Sequence, residues 1–158
     1  MRVNVGCGEF PAAGWTNLDL THDAADIRWD VRDGLPPEVT GEVERIYFGH
    51  VLEHLAVDEI VPVLRKVARQ APGAAFAIVG PDCDRVSERD PAFKAIRYGG
   101  GRWVGDVHQW RSTETATVAL CERAGLTVAV TEPAKLKADG WPVVSEVAWQ
   151  FALEGRFE

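Results

Sequence analysis

The chain has 158 residues, 46% of them hydrophobic and 26% charged, the composition of a globular protein the size of one domain, taken here as residues 1–158. A net charge of −7 argues against a broad phosphate-binding face of clustered Lys and Arg, so nucleic acid is a disfavoured partner, and no apolar run is long enough to span a membrane. The start, Met1-Arg2-Val3-Asn4-Val5, enters a strand-like run with no leader pattern, and Cys7, Cys83 and Cys121 are too scattered to form a metal-ligand pair, so a reducing, cytoplasmic setting is expected.

In chain order, strand-like runs fall at 2–5, 16–20, 27–31, 43–48, 74–79, 126–130 and 143–151. Between the fourth and fifth, a helix starting near Asp58 sets Val57, Ile60, Val61, Leu64, Val67 and Ala68 on one face and ends before Ala71-Pro72-Gly73. Pro62 is compatible with it only in a first turn. Ser112 or Thr113 opens a second helix with Glu114 in its first turn, which stops at Gly125. Strands alternating with helices predict an α/β fold whose sheet of seven strands is mostly parallel. Residues 84–111 read as an inserted or lid-like connection.

The most informative stretch is Val3-Asn4-Val5-Gly6-Cys7-Gly8, an apolar strand running into a turn with two glycines one residue apart. Glycine there permits positive φ and the approach of a ligand to bare backbone N–H groups. The second strand carries Asp19 near its carboxyl end, where a carboxylate can accept both hydroxyls of a ribose. Asp30 follows the third strand, in reach of an adenine amino group. Each signal alone is also what an ordinary tight turn or a solvated turn acid presents. Their order and spacing together point to a nucleotide-like ligand.

These segments resemble the class I S-adenosylmethionine-dependent methyltransferases, especially their short bacterial and phage members. The likeness is carried by Asn4-Val5-Gly6-Cys7-Gly8, Gly14-Trp15-Thr16-Asn17-Leu18-Asp19, Asp30 with Leu35-Pro36, and Ile46-Tyr47-Phe48-Gly49-His50-Val51-Leu52-Glu53-His54-Leu55. It continues through Ala71-Pro72-Gly73, Val79-Gly80-Pro81-Asp82 and Glu122-Arg123-Ala124-Gly125-Leu126. The resemblance implies a Rossmann-like fold and S-adenosylmethionine as cofactor. Gly6, Cys7 and Gly8 would lie against its methionine portion, Asp19 on its ribose, Asp30 near its adenine, and Gly49 or His50 beside it. The chain departs from the family in having Asn4 where an acid is usual and Glu9-Phe10-Pro11 where a third glycine opens a helix. Only residues 9–14 separate the glycine turn from the second strand, and 21–26 the second from the third, so the N-terminal crossovers must be shortened.

His50-Val51-Leu52-Glu53-His54 is also a literal H-x-x-E-H, the zinc signature of inverted metallopeptidases. That reading needs a third ligand downstream, for which Glu114, Glu122 and Glu132 are available, and it conflicts with the strand-four context. No metal is therefore expected, and Glu53 and His54 are expected to hydrogen-bond locally. On the acceptor side, Phe93, Tyr98, Trp103, His108 and Trp110 are interleaved with Arg97, Arg102 and Arg111, a pattern that suits either stacking on an acceptor or a small satellite core. Gly99-Gly100-Gly101 suggest mobility. His108, His54 and Asp82 are the candidate catalytic bases. The expected function is methyl transfer to a small-molecule or glycan acceptor, favouring a hydroxyl. The competing reading is a non-catalytic cofactor-binding or interaction protein on the same fold.

Overall fold

A computed structural model describes residues 1–39, 41–101 and 106–158. Its seven strands are β1 (Arg2–Val5), β2 (Thr16–Asp19), β3 (Ile27–Arg28), β4 (Arg45–Gly49), β5 (Ala75–Pro81), β6 (Val128–Thr131) and β7 (Gln150–Arg156). They form one sheet in the order β3-β2-β1-β4-β5-β7-β6. The pairs from β3 through β5 are parallel, and β7 runs antiparallel to both β5 and β6. Four α-helices are described: α1 (Val57–Gln70), α2 (Phe93–Tyr98), α3 (Glu114–Arg123) and α4 (Pro133–Ala138). None is long and apolar enough to cross a membrane.

Alternation along the strands gives the sheet two unequal faces. Val3, Val5, Ile46, Phe48, Phe76 and Ile78 point to one side, where the apolar stripe of α1 (Ile60, Val61, Leu64, Val67) and Leu120 and Cys121 of α3 bury them. Tyr47, Ala77, Val79 and Ala152 point to the other, where the cover is Trp15, Trp141, Val143 and Leu136 of α4. The indoles of Trp15 and Trp141 meet at 5.9 Å, and the Arg45 guanidinium lies 5.1 Å from the Trp141 ring. One layer is helical, and the other is largely loop.

The first two crossovers are as short as their sequence requires, and neither contains a helix among the described residues. Ten residues in extended form reach about 33 Å, ample to run back along a four-residue strand without a helix. What such a connection lacks is an apolar stripe to hold it down, and Asn17 supplies the hold instead. Its buried side chain accepts from Asn4 Nδ2 and Ala12 N, and donates to the carbonyls of Ala12 and Trp15 and to Asp26 Oδ2. Asp26 Oδ2 also accepts from Asn17 N at 2.8 Å, which ties the second crossover to the first.

Two elements differ from expectation in ways with a physical cause. The last strand spans Gln150–Arg156 rather than 143–151, because Trp141 and Val143 are drawn onto the thinly covered face and only the chain beyond them joins the ladder. The third strand stops at Arg28, because Asp30 caps a 3-10 turn, Val31–Asp33, by accepting from Arg32 N. Helix α1 begins at Val57, with Glu59 reaching back to Ala56 N, so Pro62 sits in its second turn. The residue is exposed, as is Asp58, whose carbonyl a proline four positions on cannot bond. The short helices α2 and α4 have no counterpart in the sequence reading.

Candidate functional site

The carboxyl ends of β1, β2 and β4 meet at one edge. Parallel register places Val5 beside Leu18 on one side and beside Phe48 on the other, so the turn after β1 emerges between Asp19 and Gly49. Gly6 has φ 69° and Gly8 φ 53°. A side chain at Gly6 would also collide with Cγ2 of Val51, whereas one at Gly8 would enter open space. The expected bare donors are in fact used within the protein: Gly6 N and Cys7 N both donate to Leu18 O, and Gly8 N donates to Asp19 Oδ2 at 2.9 Å. The turn offers an uncovered surface beside a carboxylate rather than a ring of free N–H groups.

Asp19 is the electrostatic centre of this edge. Oδ1 accepts from the backbone N–H of Thr21 and of His22, each at 2.9 Å, and from the Thr21 hydroxyl. Burial alone would raise its pKa, but the N–H donors of Thr21, His22 and Gly8 outweigh burial and hold the carboxyl below its ordinary value. Cys7 moves the other way: burial, reinforced by the charges of Asp19 and Asp26, pushes its thiol up to about 11, so it stays protonated. Asp30 lies beyond β3 and is tied to Arg32, with Oδ2 3.1 Å from Nη1. Arg32 in turn reaches Glu59 of α1 at 3.0 Å, which fixes the loop after β3 to the helix layer.

Past Gly49 the chain turns sharply at His50, whose φ of 56° is positive for a residue that is not glycine. His50 N donates to Val79 O, and its ring bridges two partners. Nδ1 lies 3.0 Å from Glu53 Oε1 and Nε2 lies 2.7 Å from Gln150 Nε2. The consistent assignment has Nδ1–H donating to Glu53 and Nε2 accepting from Gln150. Leu52–His54 forms a single 3-10 turn rather than a long helix, and His50 is committed to Glu53 and Gln150, so the H-x-x-E-H pair of helical zinc ligands is not formed.

A different group forms instead. Glu53, 1% exposed, lies with His54 and His108 such that one ligand atom of each is within 4.8 Å of the others. The two imidazoles meet edge to face at 4.9 Å. Each is oriented by a backbone carbonyl, His54 Nδ1 by Val107 O at 3.2 Å and His108 Nδ1 by Ile96 O at 2.7 Å. Burial raises the Glu53 pKa, but the His50 hydrogen bond and the three nearby imidazoles outweigh it and keep the carboxyl below its usual range. Burial lowers the His108 pKa against the pull of Glu53.

The two ends of residues 84–111 meet at one neck, where Cys83 N donates to Ser112 O and Arg111 pairs with Asp84 at 2.8 Å. Asp82 is part of that neck: it caps the turn Cys83–Arg85 by accepting from Asp84 N and pairs with Arg85 at 3.2 Å. Within the excursion Phe93 and Ile96 are buried, and Trp110 packs against the main core while its Nε1 donates to Leu52 O. Phe93 and Ile96 are buried apart from both faces of the sheet core, whereas Tyr98 is exposed. Gly99 has φ 91° and a side chain there would strike Asp106 O, so close packing requires this glycine. Arg102 and Trp103 lie outside the described residues. The residues that the sequence reading missed are Asn17, Gln150 and the Thr21–His22 amides, which act through partners that a motif does not display. A cavity of about 410 Å³ bordered by Ala75, Trp141 and Arg156 lies at the opposite, amino-terminal end of β5, away from the glycine edge.

No protein-family model matches the sequence, and no curated protein matches it. Solved structures do. PigF with SAH superposes with a TM-score of 0.63 at 16% identity over 98% of this chain and 49% of its own. Human N-acetylserotonin methyltransferase in complex with SAM gives 0.60 at 14% identity, over 98% of this chain and 46% of its own. An S-adenosylmethionine-dependent methyltransferase from Mesorhizobium loti gives 0.58 at 15% identity, over 98% of this chain and 90% of its own. The chain thus spans about half the length of the first two. The fold is that of the class I S-adenosylmethionine-dependent methyltransferases.

Proposed function

We propose that this chain binds S-adenosylmethionine against the turn after β1 and transfers its methyl group to a hydroxyl of a small-molecule acceptor. The observation that carries the reading is the pairing of an uncovered glycine turn with Asp19, a half-buried carboxylate held ionised at the carboxyl end of β2. Asp19 Oδ2 accepts from Gly8 N and has a second lone pair for a ribose hydroxyl. Gly8 leaves room beside it because a side chain there would meet nothing. Gly6, Cys7, Gly49 and His50 complete the wall, and Asp30, held by Arg32, stands on the adenine side. The superposed structures support the choice of cofactor, since PigF holds SAH and human N-acetylserotonin methyltransferase holds SAM.

When bound, the sulfonium supplies the methyl group for an in-line displacement. The protein's part is to orient the acceptor, exclude water and handle the proton that a hydroxyl loses. Glu53, His54 and His108 are the groups proposed for that last task, since both imidazoles are aimed by backbone carbonyls and stand over a buried carboxylate. Asp82 is left out of this role because the turn it caps and Arg85 occupy its carboxylate.

Calorimetric titration with S-adenosylmethionine and S-adenosylhomocysteine tests the reading, with one molecule bound per chain expected. Absence of binding by either overturns it. Binding without turnover on any of a panel of phenolic and sugar hydroxyls would favour the non-catalytic reading, to which the stripped-down first crossover already lends weight.

A further inference from the structure

We propose that Glu53, His54 and His108 form a site for one divalent transition-metal ion of the zinc class. Three observations carry it. First, one ligand atom of each residue already lies within 4.8 Å of the other two. Donor atoms around a tetrahedral ion with bonds of 2.0–2.1 Å sit roughly 3.3 Å apart, so small side-chain rotations close the gap.

Second, the supporting bonds are those that ligands of such an ion need. The Nδ1 atoms of His54 and His108 each face a backbone carbonyl, Val107 O and Ile96 O, which fixes the tautomer with the lone pair on Nε2. Glu53 Oε1 is held by His50, whose own ring is fixed by Gln150. The two segments are joined by main-chain bonds from Gln109 N to Glu53 O at 2.7 Å and from His108 N to Tyr98 O at 3.1 Å, and by Trp110 Nε1 to Leu52 O. The donors therefore stand on a fixed frame rather than on free loops.

Third, the buried charge calls for a cation. Glu53 is 1% exposed, and its carboxylate is held by the His50 ring at 3.0 Å with the His54 and His108 imidazoles beside it. Ionised carboxylates in such surroundings are costly without a positive partner. Two imidazoles with one carboxylate select zinc, cobalt or nickel over magnesium or calcium, which prefer all-oxygen sets. Three protein ligands leave a fourth position for the oxygen of a water or an acceptor hydroxyl, and with the ion bound the imidazoles would act through it, easing the hydroxyl's loss of its proton to solvent, rather than as bases themselves.

The test is direct metal uptake by the full chain after chelator treatment. Titration with Co²⁺ is expected to give an intense visible absorption of a low-coordinate site. Calorimetry with Zn²⁺ is expected to give one ion per chain, bound at least about 100-fold more weakly by the double variant His54→Ala/His108→Ala. Glu53→Gln is expected to weaken Zn²⁺ as well, and Glu114→Gln, at a carboxylate paired with Arg85 and outside the cluster, to leave uptake unchanged. A Co²⁺ spectrum that stays that of the hydrated ion overturns the proposal without recourse to any variant. So does Zn²⁺ held as tightly by the double variant as by the native chain. Both readouts report the ion itself, so their failure is distinct from a failure to bind S-adenosylhomocysteine.

Discussion

Asp19 Oδ2 and Gly8 N, eleven positions apart in the chain, are hydrogen-bonded at 2.9 Å across the ends of two parallel strands. The acid proposed to meet the ligand also holds the turn beside which the ligand would lie. Asp19→Ala should therefore weaken S-adenosylhomocysteine by about 2 kcal/mol or more, the size of a lost hydrogen bond to a charged group. Calorimetry on the variant, with circular dichroism to show that it is folded, checks this. Unchanged affinity would move the ligand elsewhere.

Acid should loosen the same edge. Asp19 and Asp26 both titrate below their ordinary value of 3.8 in the folded chain, Asp19 because the N–H donors of Thr21, His22 and Gly8 outweigh its burial, Asp26 because it accepts from Asn17. A carboxyl with a depressed native pKa contributes stability that is fully present above its unfolded value and is lost as pH falls through the native one. Denaturant midpoints measured from pH 6 down to about pH 2 should fall less steeply in Asp19→Asn than in the native chain. Parallel curves would remove Asp19 as a source of acid sensitivity.

Gly6→Ala should cost about 1–3 kcal/mol from backbone strain, with the collision against Val51 adding to it, because Gly6 is at φ 69° and faces that side chain. Gly8→Ala meets open space, so its cost should come from φ alone, and its larger effect should be on ligand affinity. Urea unfolding and calorimetry of the two variants separate these outcomes. Equal stability losses would contradict the packing seen at Val51.

Asn17→Ala removes a side chain bonded to Asn4, Ala12, Trp15 and Asp26. Leaving the buried Asn4 amide and Trp15 carbonyl without this partner, and cutting the tie to Ala12 and Asp26, should destabilise the chain by about 3 kcal/mol, several degrees or more in Tm. A loss below about 1 kcal/mol would mean that the first crossover is held by something other than this side chain.

His108→Ala should lower turnover of a hydroxyl acceptor by roughly 10²-fold while leaving S-adenosylhomocysteine affinity nearly unchanged, because His108 sits with His54 and Glu53 rather than on the glycine edge. Product release measured alongside binding decides this. Lost affinity for the cofactor product would make the histidine a structural support of the whole edge.

Legibility from sequence followed the range of the interaction. The glycine turn, Asp19 and the apolar stripe of α1 were readable because each is encoded within a short window. The grouping of His108 with Glu53 and His54 was not, since it depends on how residues 84–111 dock through Trp110 and Gln109. The last strand falls later than the apolar pattern suggests, because the apolar residues near Val143 serve as cover for a sheet face. The helices α2 and α4, six residues each, are too short to establish a period.

The fastening of β2 and β3 by Asn17 and Asp26, in place of helices packed across them, sets how firmly the chain holds together from one part to another. Polar bonds near solvent exchange readily with water, whereas the stripe of α1 on β4 and β5 cannot open without exposing the main core. The N-terminal edge is therefore the region expected to fray first, with amide protons of Leu18 and Ile27 exchanging well before those of Phe48 and Ile78. A ligand gripping Asp19 would draw those fluctuations down, so part of its binding free energy is spent in quieting the strand it rests on.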